Sequence, residues 1–128
     1  ILNKYIKYVF SVFRLKINDI FVDMKKNVAV VMGGYSSEYE ISMKSGQVVY
    51  DNLEDEIYNL YKIVIRKDKW IYIDENDKEF DVSKDDFSIK TENKRIKFDV
   101  AFIVVHGSPG EDGLLQSYFD KISIPYTG

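Results

Sequence analysis

The chain has 128 residues, 18 Lys and Arg against 21 Asp and Glu, one histidine and no cysteine. That length fits one domain, and 45% apolar with 15% aromatic content is enough to bury a core, which excludes wholesale disorder. Without cysteine there is no disulfide scaffold, thiolate zinc site or thiol nucleophile; one histidine excludes a two-imidazole metal site; and a net charge of -3 lacks the basic footprint of a nucleic-acid binder.

Residues 1–23 differ from the rest, with Lys4, Lys7, Arg14 and Lys16 against Asp19 and Asp23, which leaves 14 basic and 19 acidic residues in Met24–Gly128. The apolar stretch between Lys7 and Arg14 is too short to span a bilayer, and no small-residue cleavage site follows it. Met24-Lys25-Lys26-Asn27 reads as a natural start, making 1–23 an upstream in-frame extension; the alternative is an amphipathic surface or partner-binding helix.

Val28 to Met32 is a continuous apolar run stopped by Gly33-Gly34, the pattern of a buried parallel strand. Ile41, Ser45, Val48, Val49 and Asn52 fall at helical spacing, with Ser45-Gly46 small enough for close approach to a sheet. Ile57 to Ile65 predicts a second strand and so a βαβ crossover. From Arg66 to Lys97, nine basic and nine acidic residues surround short alternating segments, which predicts a solvated antiparallel hairpin or meander inserted at an edge of the sheet. Val100 to Val105 is the strongest apolar run and predicts a central strand. Leu114, Leu115, Tyr118, Phe119 and Ile122 predict a second amphipathic helix, and Ile124 to Gly128 a short last strand. The fold class is α/β, with a mainly parallel sheet flanked by helices.

Two polar loops, Gly33–Ser42 and His106–Gly113, follow predicted parallel strands and precede helices. That edge of an α/β sheet is where ligands bind, because helix N-termini present unpaired N–H groups there. The first loop has neither a Gly-x-Gly-x-x-Gly spacing nor a Gly-Lys-Ser/Thr ending, which removes dinucleotide and P-loop sites. Glu38 and Glu40 either serve the helix start electrostatically or, for one of them, bind an ammonium in the cleft. Ser42 and Ser45 are otherwise packing or helix-surface residues. In the second loop three glycines in eight residues suit a backbone nest for an anion. His106 is either a satisfied loop histidine or a site residue, and Asp112 a helix cap. Glu111 too reads as a helix-start carboxylate; a metal site built from Glu111 and Asp112 is the weaker alternative, since their spacing matches no calcium loop, and no metal ligand is assigned to the chain.

Taken together, Gly33, Gly34, Ser36, Glu38, Ile41, Ser42 and Ser45, then His106, Gly107, Gly110, Glu111, Asp112, Gly113 and Gln116, then Ile124-Pro125-Tyr126-Thr127-Gly128 resemble D-alanine-D-alanine ligase from Met24 onward. The resemblance implies a Rossmann-like, pre-ATP-grasp N-terminal domain over 24–128 of a cytoplasmic ligase of peptidoglycan synthesis that forms a homodimer when intact. It implies Glu38, His106 and Glu111 as catalytic residues, with Gly34, Ser36, Glu38, Ser42, Ser45, His106, Gly107 and Gly110 binding substrate. Glu38 would take the ammonium of the first D-alanine, His106 would lie near its carboxylate, and Glu111 would orient residues of other domains. ATP and Mg2+ would be held by central and C-terminal domains not contained in these residues, so the chain alone is expected to be inactive and to bind neither. The other readings are a stand-alone small-molecule binding or regulatory module on the same cleft, without catalysis, and an interaction domain.

Overall fold

A computed structural model describes residues 25–127, so the extension predicted over 1–23 lies outside the described residues. The elements run β1 (Lys26–Gly33), α1 (Tyr39–Asn52), β2 (Tyr58–Ile65), β3 (Trp70–Ile73), β4 (Glu79–Ser83), β5 (Ser88–Lys90), β6 (Arg95–Ile96), β7 (Val100–Ile103), α2 (Leu114–Lys121) and β8 (Tyr126–Thr127). They build one sheet in the order β6-β5-β4-β3-β2-β1-β7-β8. β1 lies parallel between β2 and β7, with Val30 opposite Lys62 on one side and Phe102 on the other, and β8 continues the parallel part beside β7. Both predicted runs are therefore interior strands, and their glycine-bearing loops leave from the same edge.

The expected mainly parallel sheet is not what forms, because β2–β3, β3–β4, β4–β5 and β5–β6 all pair antiparallel. The physical reason lies in the charged stretch 66–97. Its apolar segments are too short for a crossover, and short connections return each strand alongside its predecessor. Asp74 shows how one turn is fixed: its carboxylate accepts the N–H groups of Asn76 and Lys78. The insertion is the expected antiparallel meander at the β2 edge of the parallel strands, and it supplies half of the strands of the sheet.

Strand alternation sends β1 side chains into two cores. Val28, Val30 and Met32 pack with Val64 and Ile71 on the face that carries α1, against Tyr39, Met43, Val49 and Leu53. Ala29 and Val31 join Ile63, Ile65, Phe87, Ile89, Phe98, Leu115 and Phe119 on the opposite face, where α2 and the meander meet. One helix covers each side of the parallel strands. α1 differs from its sequence pattern: Ile41 and Val48 are 58% and 61% exposed, whereas Ser42 and Gly46 are buried. A Cβ on Gly46 would come within 2.6 Å of Met32 Cβ, so the helix seats on Ser42 and Gly46 with Met43 and Val49 packed alongside, and Ile41 and Val48 turn outward.

Candidate functional site

The ends of β1 and β7 bring the two glycine-bearing loops side by side, and hydrogen bonds stitch them together. Tyr35 N–H donates to Ser108 O at 2.8 Å, Ser36 Oγ–H to His106 O at 3.1 Å, and Gly34 N–H to Ile65 O at the end of β2 at 2.7 Å. Ser36 Oγ also accepts the Glu38 N–H at 3.1 Å, which shapes the turn into α1.

Ser42, on the inward face of α1, is completely buried and ties three elements through one hydroxyl. It accepts the Gly33 N–H at 3.0 Å and donates to Val104 O at 2.8 Å. Its hydroxyl is thereby occupied in fixing the ends of β1 and β7, a positioning role for a residue singled out as substrate-binding. Ser42→Ala removes both partners and is expected to cost about 1–3 kcal/mol. A fall in the urea midpoint at unchanged m-value checks it, whereas an unchanged midpoint would contradict it.

The glycines serve the same stitching. A Cβ on Gly107 would lie 2.5 Å from Ser36 Oγ, one on Gly34 would lie 2.8 Å from Val105 Cγ1, and one on Gly110 would lie 2.6 Å from Val105 O. Their bare faces are turned to neighbouring loop atoms, so the requirement for glycine comes from loop packing. Within the second loop the N–H groups of Gly110 and Glu111 both donate to Gly107 O, and Gln116 Nε2 donates to Gly110 O at 2.7 Å. Part of the expected anion nest is therefore consumed internally. The Ser108–Pro109 bond is cis.

What emerges from this frame is a cluster of three side chains. One carboxylate oxygen of Glu38, one of Glu111 and a ring nitrogen of His106 all lie within 4.8 Å of one another, with His106 half-buried and both carboxylates exposed. Glu38 sits at the N-cap of α1 yet makes no side-chain cap, so the carboxylate is not spent on the helix start. Glu40 stays exposed in the first turn. His106 Nε2 lies 3.4 Å from Ser45 Oγ, one turn along α1 from Ser42, which gives the ring an orienting neighbour. Asp112 does not join the cluster; it accepts the Leu114 N–H at 3.2 Å at the start of α2, as a cap. A hydrogen bond from the Ser108 side chain, then the Leu114 N–H, holds its carboxyl below the usual carboxylate range.

The structure thus brings together Glu38, His106 and Glu111, places Ser36, Ser45, Gly34, Gly107 and Gly110 around them, and puts Ser42 in the supporting core. Sequence reasoning missed Tyr35 and Ser108, whose backbone bond and side chains brace the loops; Tyr35 OH also accepts Trp70 Nε1–H at 3.1 Å. A serine before proline in a glycine-rich loop was the available signal. On the opposite edge of the sheet, a cleft of about 870 Å³ between the start of β2 and the meander is lined by Tyr50, Tyr61, Tyr72 and Glu75, far from either loop. Burial and then the Tyr61 side chain push the Tyr72 phenol up to about 12, so it remains protonated and carries no charge there at neutral pH.

Two carboxylates and an imidazole can supply three acceptors to a small cation, and an ammonium offers three donors. The class defined by fold and site is an α/β domain that presents a cation-seeking cluster at the carboxyl ends of its parallel strands. Residues 27–128 match the family model described as D-ala D-ala ligase N-terminus, and the chain belongs to that family. It is 52% identical over 100 residues to the D-alanine--D-alanine ligase of Flavobacterium johnsoniae, covering 78% of this chain and 31% of that one. D-alanyl-alanine synthetase A from Vibrio cholerae superposes with a TM-score of 0.69 at 27% identity, over 81% of this chain and 31% of that structure. The D-alanine--D-alanine ligase of Bacillus anthracis complexed with ATP gives 0.55 at 25% identity, over 80% and 28%. The chain spans about a third of the length of the relatives it matches.

Proposed function

We propose that this chain is the first-substrate end of an ATP-dependent ligase that joins two D-alanines for peptidoglycan synthesis in the cytoplasm. The observation that carries the reading is the convergence of Glu38, His106 and Glu111 from two loops far apart in sequence. Glu38 takes the ammonium of the first D-alanine in a charge-assisted contact, and His106 lies by its carboxylate. Glu111 completes the cluster and orients groups from the neighbouring domains. Ser36, Ser45, Gly34, Gly107 and Gly110 set the loop geometry around the substrate, and Ser42 holds that frame from below.

ATP and Mg2+ belong, on this reading, to central and C-terminal domains outside these residues. ATP supplies the phosphoryl group that turns the first D-alanine carboxylate into an acyl phosphate, open to the amine of the second. This chain's residues bind and orient, and holding two small reactants in register lowers the barrier by several kcal/mol. The cluster here, with its imidazole, suits a softer cation than Mg2+, which agrees with placing magnesium elsewhere.

Amide NMR of the isolated chain titrated with D-alanine tests the reading. The expected result is weak binding, with a Kd of about 1 mM or higher, and shifts confined to residues 34–38 and 106–113. Shifts centred on the tyrosine-lined cleft would contradict the site. Tight binding by the isolated chain would favour a stand-alone module. The chain alone, given ATP, Mg2+ and D-alanine, is expected to release no ADP, and D-alanine-dependent release would overturn that part.

A further inference from the structure

We infer that the Glu38–His106–Glu111 cluster is also a transition-metal site, one that takes Zn2+ with three protein ligands and an open fourth position. The donor set is one imidazole nitrogen and two carboxylate oxygens, all within 4.8 Å of one another. Tetrahedral zinc with bonds near 2.0–2.2 Å holds its donors about 3.4 Å apart. The observed spacing of up to 4.8 Å is wider than that, and the two donors that must move in are carboxylates of exposed residues, while the imidazole is half-buried. A second observation supports the assignment. The ring that must supply nitrogen is neighboured by Ser45 Oγ at 3.4 Å, and its backbone carbonyl is held by Ser36 Oγ–H, so the least mobile ligand is oriented in advance. Glu38, not spent on a cap, and Glu111, whose N–H is bonded inside its own loop, come from separate segments and can approach from two sides.

The donor chemistry favours zinc over magnesium or calcium, since an imidazole with two carboxylates suits borderline-soft dications, whereas Mg2+ and Ca2+ prefer all-oxygen shells. A zinc ion here occupies the space proposed for the substrate ammonium, so the two exclude one another. The zinc site itself does not rest on the ligase reading. It stands or falls on three side chains.

The sequence makes the test sharp, because His106 is the only histidine and there is no cysteine, so no other nitrogen or sulfur side chain of the usual zinc-ligand type exists in the chain. Zinc affinity of the full 128-residue chain is measured by competition with a chromophoric chelator. One equivalent is expected to bind, with affinity reduced about 100-fold in His106→Ala and about tenfold in Glu111→Gln. As a measurement that needs no variant, zinc should displace the NMR signals of the single imidazole ring in the unmodified chain. Ring signals unmoved at saturating zinc, or His106→Ala binding zinc within about twofold of the unmodified chain, would overturn the inference.

Discussion

Replacing Phe87 by alanine lowers the unfolding free energy of the chain by about 3–5 kcal/mol. Phe87 is fully buried where the meander meets α2, with ring centroids 4.9 Å from Phe119, 5.3 Å from Phe98, 6.1 Å from Tyr118 and 6.2 Å from Trp70. Three of these four contacts are edge-on, and such pairs add to the area term. Truncation leaves a hole walled by aromatic rings that cannot collapse together without moving a strand. Against a total of about 5–15 kcal/mol for a domain, that is a large fraction. Phe87 also has a positive φ of 55°, which the alanine variant inherits, so the difference reports packing. Urea unfolding followed by fluorescence measures it, with Phe87→Leu as the intermediate case. A loss below about 1 kcal/mol would mean the aromatic cluster is not the hinge between meander and helix.

The second large effect is on activity. In a ligase carrying these loops, Glu38→Gln is expected to lower kcat/KM for the first D-alanine about ten- to a hundredfold, the equivalent of losing a charge-assisted hydrogen bond. The amide keeps the size and an acceptor but loses the charge that an ammonium seeks. The dependence on ATP should change little, because Glu38 lies on the exposed rim of a loop that this account gives only to the amino acid. Steady-state ADP release at varied D-alanine separates the outcomes. An unchanged D-alanine dependence would remove Glu38 from the site.

Much of the site was legible from residues because its chemistry is concentrated in two short segments. Gly33-Gly34 through Glu38 and His106 through Gly113 both follow continuous apolar runs, and such runs declare parallel strands covered on two sides. What could not be read was which atoms the small residues face. Ser42 looks like a polar residue on a helix beside a ligand loop, yet it is the buried tie between Gly33 and Val104. Gly107 and Gly110 look like a nest, yet their open sides are filled by Ser36 and Val105.

The fold shows the same division. β1, β7 and α2 follow from their apolar runs and spacing. The face of α1 follows in part: the small Ser45-Gly46 pair marked the close approach, which Gly46 makes to Met32, whereas Ile41 and Val48 of the same apolar spacing are exposed. The antiparallel meander over 66–97 was legible from its short alternating segments, but its share of the sheet was not, since β5 and β6 each carry one buried hydrophobic side chain, Ile89 and Ile96, which pack with Phe87 and Phe98 in the same core.

The most direct test of the account is an exchange of domains. Residues 27–128 of this chain replace the matching third of the Flavobacterium johnsoniae ligase, its 52% identical relative. ADP release is then measured with ATP, Mg2+ and either D-alanine or L-alanine. The account predicts release that depends on D-alanine and falls with Glu38→Gln. A folded, soluble exchange protein that binds ATP yet releases no ADP with D-alanine would contradict the assignment of these loops to the first substrate.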